Sequence, residues 1–307
     1  MVQPPYGGIP PVNPYYGGMA PKPGCIPLRP LTVGEILGGA IEAIRRNART
    51  VLALSFAAAV VQAVIALFVQ RYASQHAISR DQLANQQVDW GQVGKVLTST
   101  VGLSLLGSLF AAVLTGMVVV VVTEDVVGRR ASLELVWSKV RSRIWRLIML
   151  SLAVSVLTAL GLAFFVAPGI WLWGIWAVSV PALIIENQSI AGALGRSKRL
   201  VGGSFWRVWG IRALGFVMTV AASGAFTAMV DAIASGVTGD RPAGFFGTSS
   251  TGSLSWSFLV ISAIGTAIAT TVTAPFLASV DSLLYVDLRM RKEHLARDLQ
   301  QAATAVH

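Results

Sequence analysis

The chain alternates between long uncharged stretches and short amphipathic ones. No charge falls in Val51 to Gln70, Val96 to Thr123, Ala213 to Val230 or Gly252 to Val280, and Leu147 to Ile185 is uncharged over 39 residues. A helix needs about 20 apolar residues to cross a hydrocarbon layer about 30 Å thick. The longest stretch therefore accommodates two passes. The pattern predicts an all-α, polytopic membrane bundle of six transmembrane helices arranged as three hairpins.

Each hairpin is preceded by an amphipathic segment. In "LTVGEILGGAIEAIRRNART" Thr32 and Glu35 have capping-box spacing, and Ile36, Leu37, Ile41 and Ile44 share a face. "ASLELVWSKVRSRIWR" and "QSIAGALGRSKRLVGGSFWR" repeat the layout, running from Ser132 to Arg146 and from Ser189 to Arg207. Such segments read as interfacial elbow helices that feed a span. Each hairpin then ends at an acid: Glu124 with Asp125, Glu186, and Asp287. The chain thus reads as three copies of one unit: surface helix, span, span, acid. In the third elbow, Ile190, Ala193, Leu194 and Leu200 are expected in the headgroup layer, with Gly202 and Gly203 turning the chain upward.

Composition narrows the class. Hydrophobic residues make up 54% of the 307 and charged residues 12%, about half the usual charged share of a soluble domain. The net charge of +10 is unevenly spread. Of the 24 basic residues only Arg71, Arg80, Lys95 and Arg241 fall on one side of the predicted bundle. The rest gather at the elbows and termini, which predicts a multi-pass plasma-membrane protein with both termini cytoplasmic. The basic side should meet membrane lipids through anionic headgroups, and a protein partner is possible. No recognition module for nucleic acid is present.

Residues 1–30 hold 9 of the 13 prolines and read as a disordered Pro/Gly/Tyr-rich cytoplasmic tail, with Cys25 a bystander thiol. The six-helix membrane domain is expected over 31–288, and 289–307 as a short basic tail. Pro168 and Gly169 mark the tight turn of the middle hairpin, followed by an outer aromatic belt of Trp171, Trp173 and Trp176. Trp145, Trp206 and Trp209 are expected as anchors at the opposite, cytoplasmic surface. Pro181 and Pro275 are expected to kink the fourth and sixth spans. Asp231 lies deep enough to reach the outer headgroups and carries no predicted role. Arg212 and Asp281 sit at matching depths, one to two turns inside the cytoplasmic surface, and are predicted to form an intramembrane ion pair.

Three stretches carry a resemblance: "PLRPLTVGEILGGAIEAIRRNARTVL", "PALIIENQSIAGALGRSKRLVGGSFWR" and "LLYVDLRMRKE". They resemble the membrane domain associated with glycerophosphoryl diester phosphodiesterases and related six-span bacterial proteins, over roughly residues 27–298. The pattern is carried by Pro181, Glu186, Arg196, Ser197, Leu200 and Gly203, with Arg199 in the same elbow motif, and by the terminal Leu-Tyr-x-Asp-Leu-Arg from Leu284 to Arg289. The resemblance implies a membrane domain without the soluble catalytic barrel. The histidines are His76, His294 and His307, and no HExxH, Walker, GxSxG or CxxC motif occurs. The expectation is therefore a non-enzyme without cofactor or metal. The leading reading is a scaffold or partner subunit in envelope or lipid-linked processes, and the alternative is a carrier for an amphiphilic or anionic solute.

Overall fold

The computed structural model describes residues 22–75, 90–164, 166–240 and 254–293. Every regular element among them is helical: α1 (Val33–Arg46), α2 (Ala48–Gln75), α3 (Trp90–Val126), α4 (Leu133–Arg141), α5 (Ile144–Phe164), α6 (Val166–Ile175), α7 (Ser179–Glu186), α8 (Ile190–Val201), α9 (Phe205–Thr238) and α10 (Trp256–Glu293). Among the described residues six stretches are long and apolar enough to cross a membrane, the fourth being shared by α6 and α7. The protein is a helical membrane bundle.

Three short helices, α1, α4 and α8, each begin at a hydroxyl cap and lead into a span. Thr32 and Glu35 form a complete capping box, Ser132 accepts from Leu135 N, and Ser189 accepts from Gly192 N. Each cap satisfies an otherwise orphaned helix N–H. These helices form a collar around one end of the bundle. Ile41, Leu133 and Trp137 on these helices are exposed, and Ile190 and Leu194 half-buried, but part of the apolar face turns inward instead of to the expected headgroup layer. Ile36, Ala40, Val136, Val140, Ala193 and Leu200 are all buried in protein, because the collar closes over the end of one long central helix.

That helix is α10. At 38 residues it measures about 57 Å, nearly twice the hydrocarbon thickness. From Ala278 to Leu288 every residue is buried, so this stretch is a central post rather than an amphipathic span. α10 is not interrupted at Pro275, whose carbonyl accepts from Ser279 Oγ at 2.8 Å.

The post also corrects both predicted tails. From residue 22 the N-terminal segment packs into the core, with Cys25, Ile26, Leu28 and Leu31 buried beside Val126 and Leu283. Gly24 is required there, since a Cβ would overlap the Asp125 carbonyl. Cys25 is no bystander: burial, and then the charge of Asp125, push its thiol pKa up. At the other end α10 continues to Glu293, so Arg289, Arg291 and Lys292 belong to the fold and not to a tail.

The middle hairpin differs from expectation in a way that shapes the interior. Pro168 and Gly169 lie in the first turn of α6, where a missing N–H costs little. Gly161 and Gly169 let α5 and α6 touch, because a Cβ on Gly161 would sit 3.0 Å from the Gly169 backbone. The break comes later, at residues 176–178, between α6 and α7. Pro181 accounts for it: it has no N–H for the Ala177 carbonyl four residues back, so it fits only in the first turn of a new helix. With ten residues, α6 spans about 15 Å, half the hydrocarbon layer. Trp171 therefore lies beside Phe205, Trp206 and Trp209 in one apolar groove of about 690 Å³. The predicted outer belt and the predicted inner anchors meet instead of marking opposite surfaces.

Candidate functional site

The broken fourth span opens a cavity. A space of about 610 Å³ lies among α2, α3, α5, α6, α7, α9 and α10. Its wall mixes hydroxyls (Ser108, Thr115, Ser151, Ser155, Thr158, Ser179, Thr219) with Leu150, Val154, Leu277 and the indoles of Trp173 and Trp176. Trp173 and Trp176 thus face the interior and not an outer belt.

Arg212 and Asp281 line this cavity together. Arg212 Nε lies 3.0 Å from Asp281 Oδ1. The contact lacks hydrogen-bond alignment, so neither atom is satisfied, and Thr158 Oγ1 is a third buried polar atom without a partner among the described residues. Arg212 Nη1 instead donates to the Trp173 carbonyl, and its guanidinium stacks on the Trp173 ring at 4.4 Å. The break in the span exposes the last carbonyls of α6, and a cation at a helix C-terminus satisfies both their hydrogen bonding and the local dipole. Ser197 does the same for the next turn, donating to the Ile175 carbonyl at 2.7 Å while fully buried.

The acids that close the hairpins hold the collar. Asp287, fully buried, accepts from Leu31 N at 2.8 Å, Arg207 at 3.0 Å and Arg291 at 3.0 Å. The Leu31 carbonyl accepts from the same two arginines at 2.7 Å each. Asp125 accepts from Arg46 and Asn47, both at 3.0 Å. Asn47 and Thr50 in turn hold the backbone of Ala131. Arg143 and Arg146 donate to the carbonyls of Ile184 and Gln188. Leu31, Ala131 and Gln188 each precede a collar cap. The foot of one collar helix therefore grips the start of the next: α1 to α4, α4 to α8, and α8 back to α1. The three units form a closed ring.

Glu186 departs from this plan. It accepts from Arg196 Nε at 2.8 and 2.9 Å and from Tyr285 Oη at 2.6 Å, with Arg289 at 3.9 Å. Arg196 and Arg289 also pair with Glu293. The hydrogen bond with Glu293 leads in raising the Arg196 pKa. Glu124 pairs with Lys139 and Arg129. Of the motif residues, Pro181 and Leu200 are core, and Gly203 takes a φ of +78° at the turn into α9. Arg199 does not join the site; it is exposed, and only its carbonyl is used, by Lys292. Asp231 does have a partner, accepting from Ser262 Oγ at 2.5 Å to tie α9 to α10.

Asn47 was not singled out by sequence reasoning, Trp173 only as part of an outer belt, and Tyr285, Arg289 and Glu293 only as members of the stretch "LLYVDLRMRKE", with no predicted role at the site. A signal existed for two of them: Asp281, Tyr285 and Arg289 recur every fourth residue, on one face of α10. Asn47 carried no periodic signal, because its role depends on the Ala131 backbone. No group of three or more metal-binding side chains occurs among the described residues. No protein-family model, curated protein or solved structure matches the chain.

Proposed function

We propose that this integral membrane protein is a carrier for an amphiphilic solute bearing an anionic group, with the cavity as its binding site. The observation that carries the reading is the broken fourth span facing that cavity, with Arg212 and Asp281 at its edge. Irregular backbone within a membrane is tolerated only where it is buried in protein or lines a cavity, and discontinuous helices frame solute sites in many carriers. Arg212 would take the anionic group, displacing it partly from Asp281. The hydroxyls would hold neighbouring polar atoms, and Leu150, Val154 and Leu277 the apolar part. We place the basic collar in the cytoplasm of a plasma membrane, from the charge asymmetry, and retain kinship with the phosphodiesterase-associated membrane domains as a proposal.

Proteoliposomes test this with a fluorescent fatty acid and a fluorescent lysophospholipid as probes. Wild-type protein should accelerate the transfer of at least one across the bilayer. Thr115→Trp, which fills the cavity, should abolish that transfer while the protein stays folded. Absence of both flux and saturable binding for the wild type would overturn the reading.

A second reading, a non-catalytic scaffold, is favoured by one observation: Arg212 already has a structural task in capping α6. A scaffold would show no flux and would co-purify with a stoichiometric partner.

A further inference from the structure

The first collar junction leaves open a basic groove. The last turn of α1, Asn47, the first turn of α2 and residues 130–132 enclose about 630 Å³. The floor is fixed by hydrogen bonds: Ala131 N donates to Asn47 Oδ1 at 3.4 Å, and Thr50 Oγ1 donates to the Ala131 carbonyl at 2.9 Å. The walls carry Arg45, Arg46, Arg49 and Arg130. Arg46 Nε is committed to Asp125. Arg45, Arg49 and Arg130 are exposed and form no ion pair among the described residues. At the junction of α8 with α1 the gripping arginines, Arg207 and Arg291, both pair with Asp287.

We propose that this groove binds a phosphate group carrying close to two negative charges. Three uncompensated guanidinium groups around a rigid floor match that charge, and each can meet phosphate oxygens bidentately. A lipid phosphomonoester headgroup is the favoured source. From Arg49 an exposed apolar row, Leu52, Phe56 and Val60, continues along α2 at helical spacing. An acyl chain can follow that row while the phosphate sits in the groove. Free phosphate offers the same head without the tail. The site is distinct from the cavity, and the proposal does not rest on the carrier reading.

The test uses the full chain in detergent micelles, with lipid binding read by native mass spectrometry and by thermal shift. Dioleoyl phosphatidic acid should bind about tenfold more tightly than dioleoyl phosphatidylglycerol, which bears one charge. Arg49→Gln with Arg130→Gln should weaken phosphatidic acid about tenfold or more, whereas the charge-matched Arg141→Gln with Lys198→Gln, outside the groove, should change it less than about twofold. Displacement of the lipid by equimolar inorganic phosphate, with the same arginine dependence, would keep the phosphate site and assign it to a soluble ligand. Should the Gln variant fail to fold, Arg49→Lys with Arg130→Lys retains the charge and removes the forks, and should still weaken phosphatidic acid severalfold. Equal weakening by the control pair, equal affinity for the two lipids, or unchanged binding in the Lys variant would each overturn the proposal.

Discussion

Two junctions of the same collar are built on opposite electrostatic terms. Where α8 meets α1, one buried carboxylate, Asp287, holds two arginines, and all three grip the peptide of Leu31. Where α1 meets α4, Asp125 holds one arginine and an asparagine, and three further arginines stand free of any acid among the described residues. In the first junction each gripping arginine is paired with a buried carboxylate, the one carboxylate serving both. The second keeps its hydrogen-bonded floor but leaves its positive charge exposed, which does nothing for the fold. The contrast separates charges that hold the ring together from charges available to a ligand.

The largest effect should come from breaking the clasp. Asp287→Ala removes the acceptor of two arginines and of Leu31 N, and losing one partner of a buried ion pair costs about 3–5 kcal/mol. The variant should melt far below the wild type in detergent. Cys25 reports the same event locally, because it packs in the segment that the clasp pins down. A maleimide should react slowly with it in native protein and rapidly in Asp287→Ala. Unchanged Cys25 reactivity would show that residues 22–31 are held by their apolar packing alone.

A second acid on the post, Asp281, sits six residues deeper and meets Arg212 at 3.0 Å at the edge of the cavity. Asp281→Asn and Arg212→Gln should each lower thermal stability, by less than the loss at Asp287, because this pair borders the open space. The double variant should be damaged less than the two singles combined, with a coupling of about 0.5–3 kcal/mol. Strict additivity would mean that the 3.0 Å contact contributes nothing, and that Arg212 acts only as the cap on α6.

The bundle was readable from the sequence because its signals are local. Uncharged length marks the spans, a hydroxyl three residues before Glu35 marks a cap, and matching depth sets Arg212 opposite Asp281. The ring was not readable. Arg207 and Arg291 grip the Leu31 peptide, and a backbone carbonyl leaves no mark in a residue pattern. The buried N-terminal segment is hidden for a related reason. Proline-rich composition argues against a helix or strand, but it does not prevent an extended segment such as Cys25, Ile26 and Leu28 from filling a groove beside α10. The misplaced aromatic belt follows from treating the fourth span as one kinked helix, when Pro181 forces a break into two.

A smaller contrast compares one arginine from each junction. Arg207→Gln loses charge-assisted bonds to Asp287 and to Leu31 O, each worth about 1.5–3 kcal/mol. Arg49→Gln loses no ion pair and should leave the melting temperature unchanged. Equal destabilisation would mean that the open junction is structural too, and would weaken the case for reading its charge as a ligand site.

The smallest effect expected is a pH dependence at the start of the ring. Glu35 accepts from Thr32 N at 2.7 Å and pairs with Arg29 at 2.6 Å. The Thr32 backbone bond first, and Arg29 with it, hold the Glu35 carboxyl below its ordinary range. A depressed carboxylate pKa adds stability that is complete above the unfolded-state value and is lost as pH falls through the folded-state value. The cap of α1 should therefore weaken only below about pH 4.5, and only slightly, since the pair is partly exposed. Glu35→Gln keeps an acceptor for Thr32 N and carries no charge. Melting curves of the two proteins should differ near neutral pH and converge as the solution is acidified below that point. If the difference instead persists unchanged into acid, the carboxylate charge at Glu35 contributes nothing to the cap, and the ring begins on hydrogen-bond geometry alone.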